Sequence, residues 1–159
     1  MVSKEEALDR IEAAFAAVPR PANDELLHSD SFDDMDLESL YPIESWREMT
    51  DDDVINSYAA PSFLSPAGFR NFLPAYMRFA LRNPDSSEAV VSATIWGLDP
   101  SMYSERIAAY ARSKYVLPDD EQRAAIVAFL EAMTESSYGE DAARALREWR
   151  RPHRHVAAD

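Results

Sequence analysis

Helix-start signals recur along this chain, and each precedes apolar residues at helical spacing. Ser3 with Glu6 has the pattern of a capping box, and Thr50 with Asp53 is expected to cap a short helix. The chain holds only 3 glycines and has no convincing strand–turn–strand pattern. These features predict an all-α fold, a single compact domain of roughly seven helices.

The most strongly patterned segment is residues 66–81. Ser65 and Pro66 fit the N-cap and the first position of a helix. Its predicted buried face consists of Phe69, Phe72, Leu73, Tyr76, Phe79 and Ala80, and its predicted solvent face of Asn71, Arg78 and Arg82. Pro74 removes a backbone donor, so we expect a kink or a break near Leu73.

Four further helices are expected after residue 82. Asn83-Pro84 is expected to start one that ends at Gly97, and Asp99-Pro100 to open the next. Two more are expected over residues 118–135 and about 139–151. The predicted inward-facing residues are Val91, Thr94 and Ile95; Tyr103, Ile107 and Tyr110; Ile126, Phe129, Leu130 and Met133; and Ala142, Leu146 and Trp149.

The negative charge of the chain lies almost entirely in its first third. The net charge is −13; residues 1–60 carry 16 acidic and 4 basic residues, and residues 61–159 carry 13 and 12. A surface of this sign repels phosphates, which argues against a non-specific nucleic-acid binder and against an anionic-membrane binder.

Residues 22–48 lack sustained periodicity and are predicted to form a long acidic loop with a turn or two of helix. We expect this loop to belong to one domain over residues 1–159, with a frayed basic tail at 152–159. A loop of this length is usually functional or mobile. Seven acids stand in fifteen positions without a lysine or arginine: Asp24, Glu25, Asp30, Asp33, Asp34, Asp36 and Glu38.

Apolar side chains alternate with these acids, which is typical of an apolar anchor ringed by charge. Such a surface suits steering and docking of a basic protein partner. The predicted partner-binding residues are Asp30, Phe32, Asp33, Asp34, Met35, Asp36 and Glu38. Two alternatives stay open: a solvated face, or an acidic run offset within the chain by Arg144, Arg147, Arg151 and Arg154.

Catalytic and metal-binding constellations are not evident. The chain has no cysteine, and its three histidines are His28, His153 and His155, two of them in the tail. No Gly-x-Ser-x-Gly, phosphate-cradling glycine loop or His-Glu-x-x-His occurs, and the acids do not fit a calcium-binding EF-hand loop. We therefore predict no catalytic residue, no metal and no cofactor, and a non-enzymatic role is favoured.

No apolar run approaches the roughly 20 residues of a membrane span, and the N-terminus lacks a signal-peptide apolar core. A cytoplasmic location is therefore expected. An alternative function is a small-molecule-binding protein, or an enzyme of unknown reaction, that uses the aromatic region at residues 58–76. It would employ Tyr58, Phe63 and Tyr76, although a dense apolar helix face is far more often core.

The string at residues 63–76, Phe-Leu-Ser-Pro-Ala-Gly-Phe-Arg-Asn-Phe-Leu-Pro-Ala-Tyr, resembles the signature of a small uncharacterised bacterial family. That family is a domain of unknown function with a Phe-Leu-Ser-Pro-x-x-Phe-Arg-x-x-Leu-Pro-x-Tyr core. Residues 11–24 and 117–130 are similar to its flanking helices. The resemblance implies no catalytic residues. By analogy with other small acidic proteins, an immunity partner of a secreted toxin is the most concrete expectation.

Overall fold

The computed structural model describes residues 1–26 and 37–151, and the regular structure in these ranges is entirely helical. The α-helices are α1 (Lys4–Ala14), α2 (Asp51–Asn56), α3 (Pro66–Arg82), α4 (Ala89–Trp96), α5 (Glu105–Tyr115), α6 (Asp120–Met133) and α7 (Gly139–Arg150). Short 3-10 turns lie at Asn23–Glu25, Glu38–Leu40, Trp46–Glu48, Ala60–Ser62 and Pro100–Met102. The predicted all-α fold is confirmed, and the described part contains seven α-helices that share one hydrophobic core.

Helix α3 is the central element of this core. It contacts α1, α2, α4, α5 and α6, and the six residues of its predicted buried face are all buried. Its predicted solvent face is wrong in two positions. Asn71 is only 2% exposed, and Arg78 is half-buried because both lie under neighbouring elements. Arg82, beyond these neighbours, is exposed as predicted.

The predicted helix starts are confirmed where the capping residues lie close together in sequence. The Ser3 hydroxyl accepts a hydrogen bond from the Glu6 amide, and Thr50 and Asp53 form a reciprocal capping box. Ser65 caps α3 by accepting from the Gly68 amide at 3.1 Å. Each hydroxyl satisfies an amide that the first turn of a helix leaves without a partner.

Two expected helix starts differ from the prediction, and of the expected kink or break near Leu73 the break is absent. The chain remains helical through Pro74 without a break. Asn83 ends α3 rather than starting a helix, because its amide N–H and its side-chain Nδ2 both donate to the Phe79 carbonyl. Asp99-Pro100 opens only a 3-10 turn, and α5 begins at Glu105.

The inward face of α5 is also displaced from the prediction. Ile107 is 49% exposed, whereas the buried residues of this helix are Ala108, Ala111, Lys114 and Tyr115. The other inward faces predicted after residue 82 are confirmed: the residues named for α4, α6 and α7 are buried. The buried residues of α5 do recur at helical spacing, but they lie on a different side of the helix from the predicted ones. Two small alanines, Ala108 and Ala111, face the core instead of the larger Ile107.

Only part of the predicted acidic loop, residues 22–48, lies in the described ranges. That part carries three of the short turns, and Leu26, Leu37, Leu40 and Trp46 are buried in the core. Residues 27–36 and the predicted basic tail, 152–159, lie outside the described residues.

Candidate functional site

The structure describes the chain on both sides of the predicted partner-binding residues but only one of these residues themselves. Of these seven residues, Glu38 lies in the described part, exposed at the start of the turn Glu38–Leu40. The other six, Asp30, Phe32, Asp33, Asp34, Met35 and Asp36, lie outside the described residues. The geometry of the site is therefore that of the chain leading into residues 27–36 and out of them.

Buried leucines stand at both ends of residues 27–36. Leu26 is 0% exposed and Leu37 is 1% exposed, and both belong to the main hydrophobic core. Burying a leucine side chain stabilises a fold by roughly 1.5–3 kcal/mol. The chain therefore enters and leaves residues 27–36, the middle of the acidic stretch at residues 24–38, at fixed points of the helical body.

Arg20 joins the two ends through a set of hydrogen bonds. Its guanidinium donates to the carbonyls of Ile43 and Pro21 (both 2.6 Å), to Asn23 Oδ1 (2.7 Å), and to the carbonyls of Tyr41 (3.1 Å) and Leu40 (3.2 Å). Two of these acceptors precede residue 27 and three follow residue 36. The same guanidinium lies 5.7 Å from the centre of the Phe72 ring in α3. We call residues 21–26 and 37–43, joined by Arg20, the neck.

The first turn of α3 holds the incoming side of the neck. The Ser65 amide donates to the Leu26 carbonyl, and the Ser65 hydroxyl donates to the Glu25 carbonyl, both at 2.7 Å. Gly68 permits this approach: a Cβ there would lie 3.1 Å from Leu64 Cδ2 and 3.3 Å from the Leu26 carbonyl oxygen. Residues of the stretch 63–76 thus serve both the central helix and the neck.

Most acidic residues that the structure describes in the first sixty positions lie on the surface. Eleven of them are exposed in the described part: Glu5, Glu6, Asp9, Glu12, Asp24, Glu25, Glu38, Glu44, Glu48, Asp51 and Asp52. Among described residues, Arg10 pairs with Glu6 at 2.6 Å and Arg47 approaches Glu12 at 3.7 Å. Most of these carboxylates therefore remain available to attract a cation.

The basic stripe that could offset the acids within the chain has other partners. Arg144 binds Asp99 at 2.6 Å and Asp141 at 2.8 Å, and these partners raise its pKa above the usual value. Arg151 pairs with Glu148 at 3.3 Å. Arg147 is exposed, and Arg154 lies outside the described residues. Two of the four arginines are thus paired with carboxylates outside residues 24–38.

The alternative aromatic region does not gather its three named residues at one exposed position. Tyr76 is 0% exposed, and its hydroxyl lies 2.8 Å from Ser57 Oγ. Phe63 is half-buried and Tyr58 is 47% exposed. Tyr76 thus serves the core, as the spacing of the apolar residues in α3 indicates.

Lys114 is a notable residue that the sequence reasoning missed. It is 2% exposed, and its ammonium donates to the Pro61 carbonyl at 2.9 Å. Burial lowers its pKa to about 8. The spacing of Ala108, Ala111 and Tyr115 would have placed it on the buried face of α5. Lysine is rarely buried, so the residue type by itself predicts an exposed side chain at this position.

The sequence also did not predict that the Asp99 side chain is completely buried. It accepts hydrogen bonds from the Ser101 amide and hydroxyl and from Arg144 Nε. This arrangement ties the turn after α4 to α7. Its sequence signal, Asp before Pro, identified the capping role but not the distant arginine.

Within residues 1–26 and 37–151, no group of three or more histidine, cysteine, aspartate or glutamate side chains is arranged to hold a metal ion. None of the helices in these ranges combines the length and the apolar character that crossing a membrane requires.

Comparison with the curated proteins gives no match, and comparison with the solved structures gives none either. Comparison with protein-family models gives a match over residues 3–154, to a family described as a family of unknown function, DUF6714. This match includes the neck, all seven described helices and nearly the whole acidic third of the chain. The chain therefore belongs to the DUF6714 family of unknown function.

Proposed function

We propose that this protein is an acidic interaction module that binds a basic protein partner through residues 24–38. Its most concrete form is an immunity-like inhibitor of a secreted toxin, such as a nuclease whose active site is lined with lysine and arginine. The observation that carries the proposal is the neck: within a stretch of seven acids and no base, the chain is held at fixed points on the core on both sides of residues 27–36.

The neck supports binding because it lowers the entropy that a partner must remove. Association costs roughly 0.5–1.5 kcal/mol for each rotamer-rich side chain that it orders, and further free energy for loop ordering. Anchoring at Leu26, Leu37 and Arg20 reduces the loop-ordering contribution before the partner arrives. Anchors of this kind suit a surface that must keep one arrangement.

The charge distribution supports a basic partner. Within the described residues, Arg144 and Arg151 pair with Asp99, Asp141 and Glu148, so part of the basic stripe is neutralised by carboxylates other than those of residues 24–38. Exposed acids elsewhere in the first sixty residues carry the same sign. Their combined field would accelerate encounter with a basic surface and would hold other acidic proteins away.

Capture from the native host, with three forms of the protein as bait, tests this proposal. The forms are the wild type, the triple reversal Asp33→Lys, Asp34→Lys and Asp36→Lys, and a control reversal Asp9→Lys, Glu44→Lys and Asp52→Lys of exposed acids. We expect the wild type and the control to retain a basic protein that the first reversal loses. The captured protein, once purified, should then associate more slowly as salt increases.

Two results would overturn the proposal. One is equal retention of the same protein by the wild type and the Asp33, Asp34 and Asp36 reversal. The other is a large loss of stability in that reversal with unchanged binding, which would mean that these acids pair within the chain. Circular dichroism melting of the three forms separates the two cases.

A further inference from the structure

We propose that Arg20 is the positioning residue of the neck: it holds the two sides of the neck together and thereby fixes the two points between which the acidic stretch is attached to the helical body. This inference rests on the proposed function for its biological meaning. Its structural basis does not depend on any partner, because the five acceptors that Arg20 has among the described residues all belong to this chain.

The chemistry of the contact requires an arginine. The guanidinium has five N–H donors in a rigid planar fork, whereas an ammonium is a compact charge with three donors. A single atom of this guanidinium, Arg20 Nη2, donates to Asn23 Oδ1, to the Leu40 carbonyl and to the Tyr41 carbonyl. One nitrogen therefore connects the side before residue 27 to the side after residue 36. Lysine would keep the charge but could not reproduce these contacts.

Arg20 differs from the other anchors of the neck. Leu26, Leu37 and Leu40 hold each side against the core separately, as their burial shows. Ser65 holds only the incoming side. Arg20 binds both sides and also lies over Phe72 of the central helix, at 5.7 Å. Its loss should leave the helical body in place and let the two sides of the neck separate.

Because Arg20 is positively charged, a positioning role and a purely electrostatic role predict opposite effects of its removal on binding of a basic partner. Arg20 is one of 4 basic residues among the first sixty. If it acted only through its charge, Arg20→Met would make the surface more acidic and would strengthen binding of a basic partner. A positioning role predicts the opposite. Ordering even one additional backbone residue on binding costs about tenfold in affinity.

The test uses the absence of cysteine from the chain. Single cysteines introduced as Asp24→Cys and Glu38→Cys, one on each side of the neck and both exposed in the native protein, accept a pair of spin labels. Pulsed electron paramagnetic resonance then measures the distribution of distances between them. We expect a narrow distribution with Arg20, and a clearly broader one in Arg20→Met and equally in Arg20→Lys.

Arg10→Met is the matched control, because it removes the same charge from an exposed arginine on α1. It should leave the distribution unchanged. Asn23→Ala removes one acceptor and leaves Arg20 in place, so it should broaden the distribution partially even if an Arg20 variant folds poorly. Far-ultraviolet circular dichroism should show the same helical content in all forms. Unchanged distributions in Arg20→Lys and Asn23→Ala would overturn the inference.

The captured partner of the preceding experiment provides the second readout. Its affinity should fall about tenfold or more in Arg20→Lys and Arg20→Met and stay within about twofold in Arg10→Met. Stronger binding by Arg20→Met would overturn the positioning role. If the proposed function is wrong but the inference about Arg20 is right, the results differ from these. The Asp33, Asp34 and Asp36 reversal would then not alter capture, whereas the distances between the spin labels would still change in the Arg20 variants.

Discussion

The Lys114 ammonium lies 5.0 Å from the centre of the Phe69 ring, inside the core between α3 and α5. Tyr110 presents a second ring at 4.8 Å, and the Pro61 carbonyl accepts a hydrogen bond from the same ammonium. In the described residues no carboxylate forms an ion pair with it. Two aromatic faces and one carbonyl thus replace the counter-charge that a buried lysine usually requires.

This environment predicts a specific dependence of stability on pH. The folded state lowers the pKa of Lys114 from 10.5 to about 8. Between these values the unfolded chain binds more protons than the folded chain, so the contribution of Lys114 to stability rises with pH. Relative to Lys114→Met, the wild type should gain about 3 kcal/mol across this range. Urea unfolding at several pH values measures it, and parallel curves for the two proteins would contradict it.

Phe72 should be a major contributor to stability. It is fully buried in α3, so Phe72→Ala should cost about 3–5 kcal/mol through lost burial and the cavity left behind. Ile107→Ala is the matched control, since Ile107 is 49% exposed and its truncation should change stability by less than about 0.5 kcal/mol. Denaturant unfolding of both variants measures the difference. A loss below 1 kcal/mol for Phe72→Ala would mean that this face is not packed.

Gly68→Ala should destabilise the protein although alanine is the better helix former. Helix propensity favours alanine by about 1 kcal/mol. The added Cβ, however, would lie 3.3 Å from the Leu26 carbonyl oxygen, which the Ser65 amide already holds at 2.7 Å. We expect a lower melting temperature, together with broader label distances across the neck. An increase in melting temperature would show that Leu26 can move aside.

Asp99 should be more sensitive to substitution than Asp141, although both bind Arg144. The Asp99 side chain is fully buried and accepts three hydrogen bonds, whereas the Asp141 side chain is 30% exposed. Hydrogen bonds to charged groups contribute about 1.5–3 kcal/mol, so Asp99→Asn should cost about 2 kcal/mol. Asp141→Asn should cost less than about 1 kcal/mol. Equal losses in thermal unfolding would contradict the assigned roles.

We expect the acidic side chains to control how fast the partner associates, and the apolar side chains to control how fast it dissociates. Exposed charges act over about 8 Å at physiological ionic strength, so association should slow as salt rises and in the Asp33, Asp34 and Asp36 reversal. Phe32→Ala or Met35→Ala should instead accelerate dissociation, because central apolar contacts usually set residence time. Surface plasmon resonance with the purified partner measures both rates. Salt-independent association would contradict the electrostatic part.

The start of each helix could be predicted where the deciding contacts are local. Ser3, Thr50 and Ser65 each accept from an amide three residues ahead, and such contacts depend on little beyond the intervening residues. The buried faces of α3, α4, α6 and α7 followed from helical spacing for the same reason. Patterns in short segments of the sequence also identified the acidic stretch at residues 24–38 and the resemblance to an uncharacterised family.

Distant contacts decided the rest. Arg20 binds Ile43, which is 23 residues away, and Lys114 binds Pro61, which is 53 residues away. Neither pairing has a signature in the sequence, since each depends on which carbonyls the folded chain leaves near a buried cation. Asn71 and Arg78 are covered because α3 is surrounded by its neighbours. The amphipathic pattern of one helix cannot indicate how many elements will pack around it, so only the tertiary structure determined those environments.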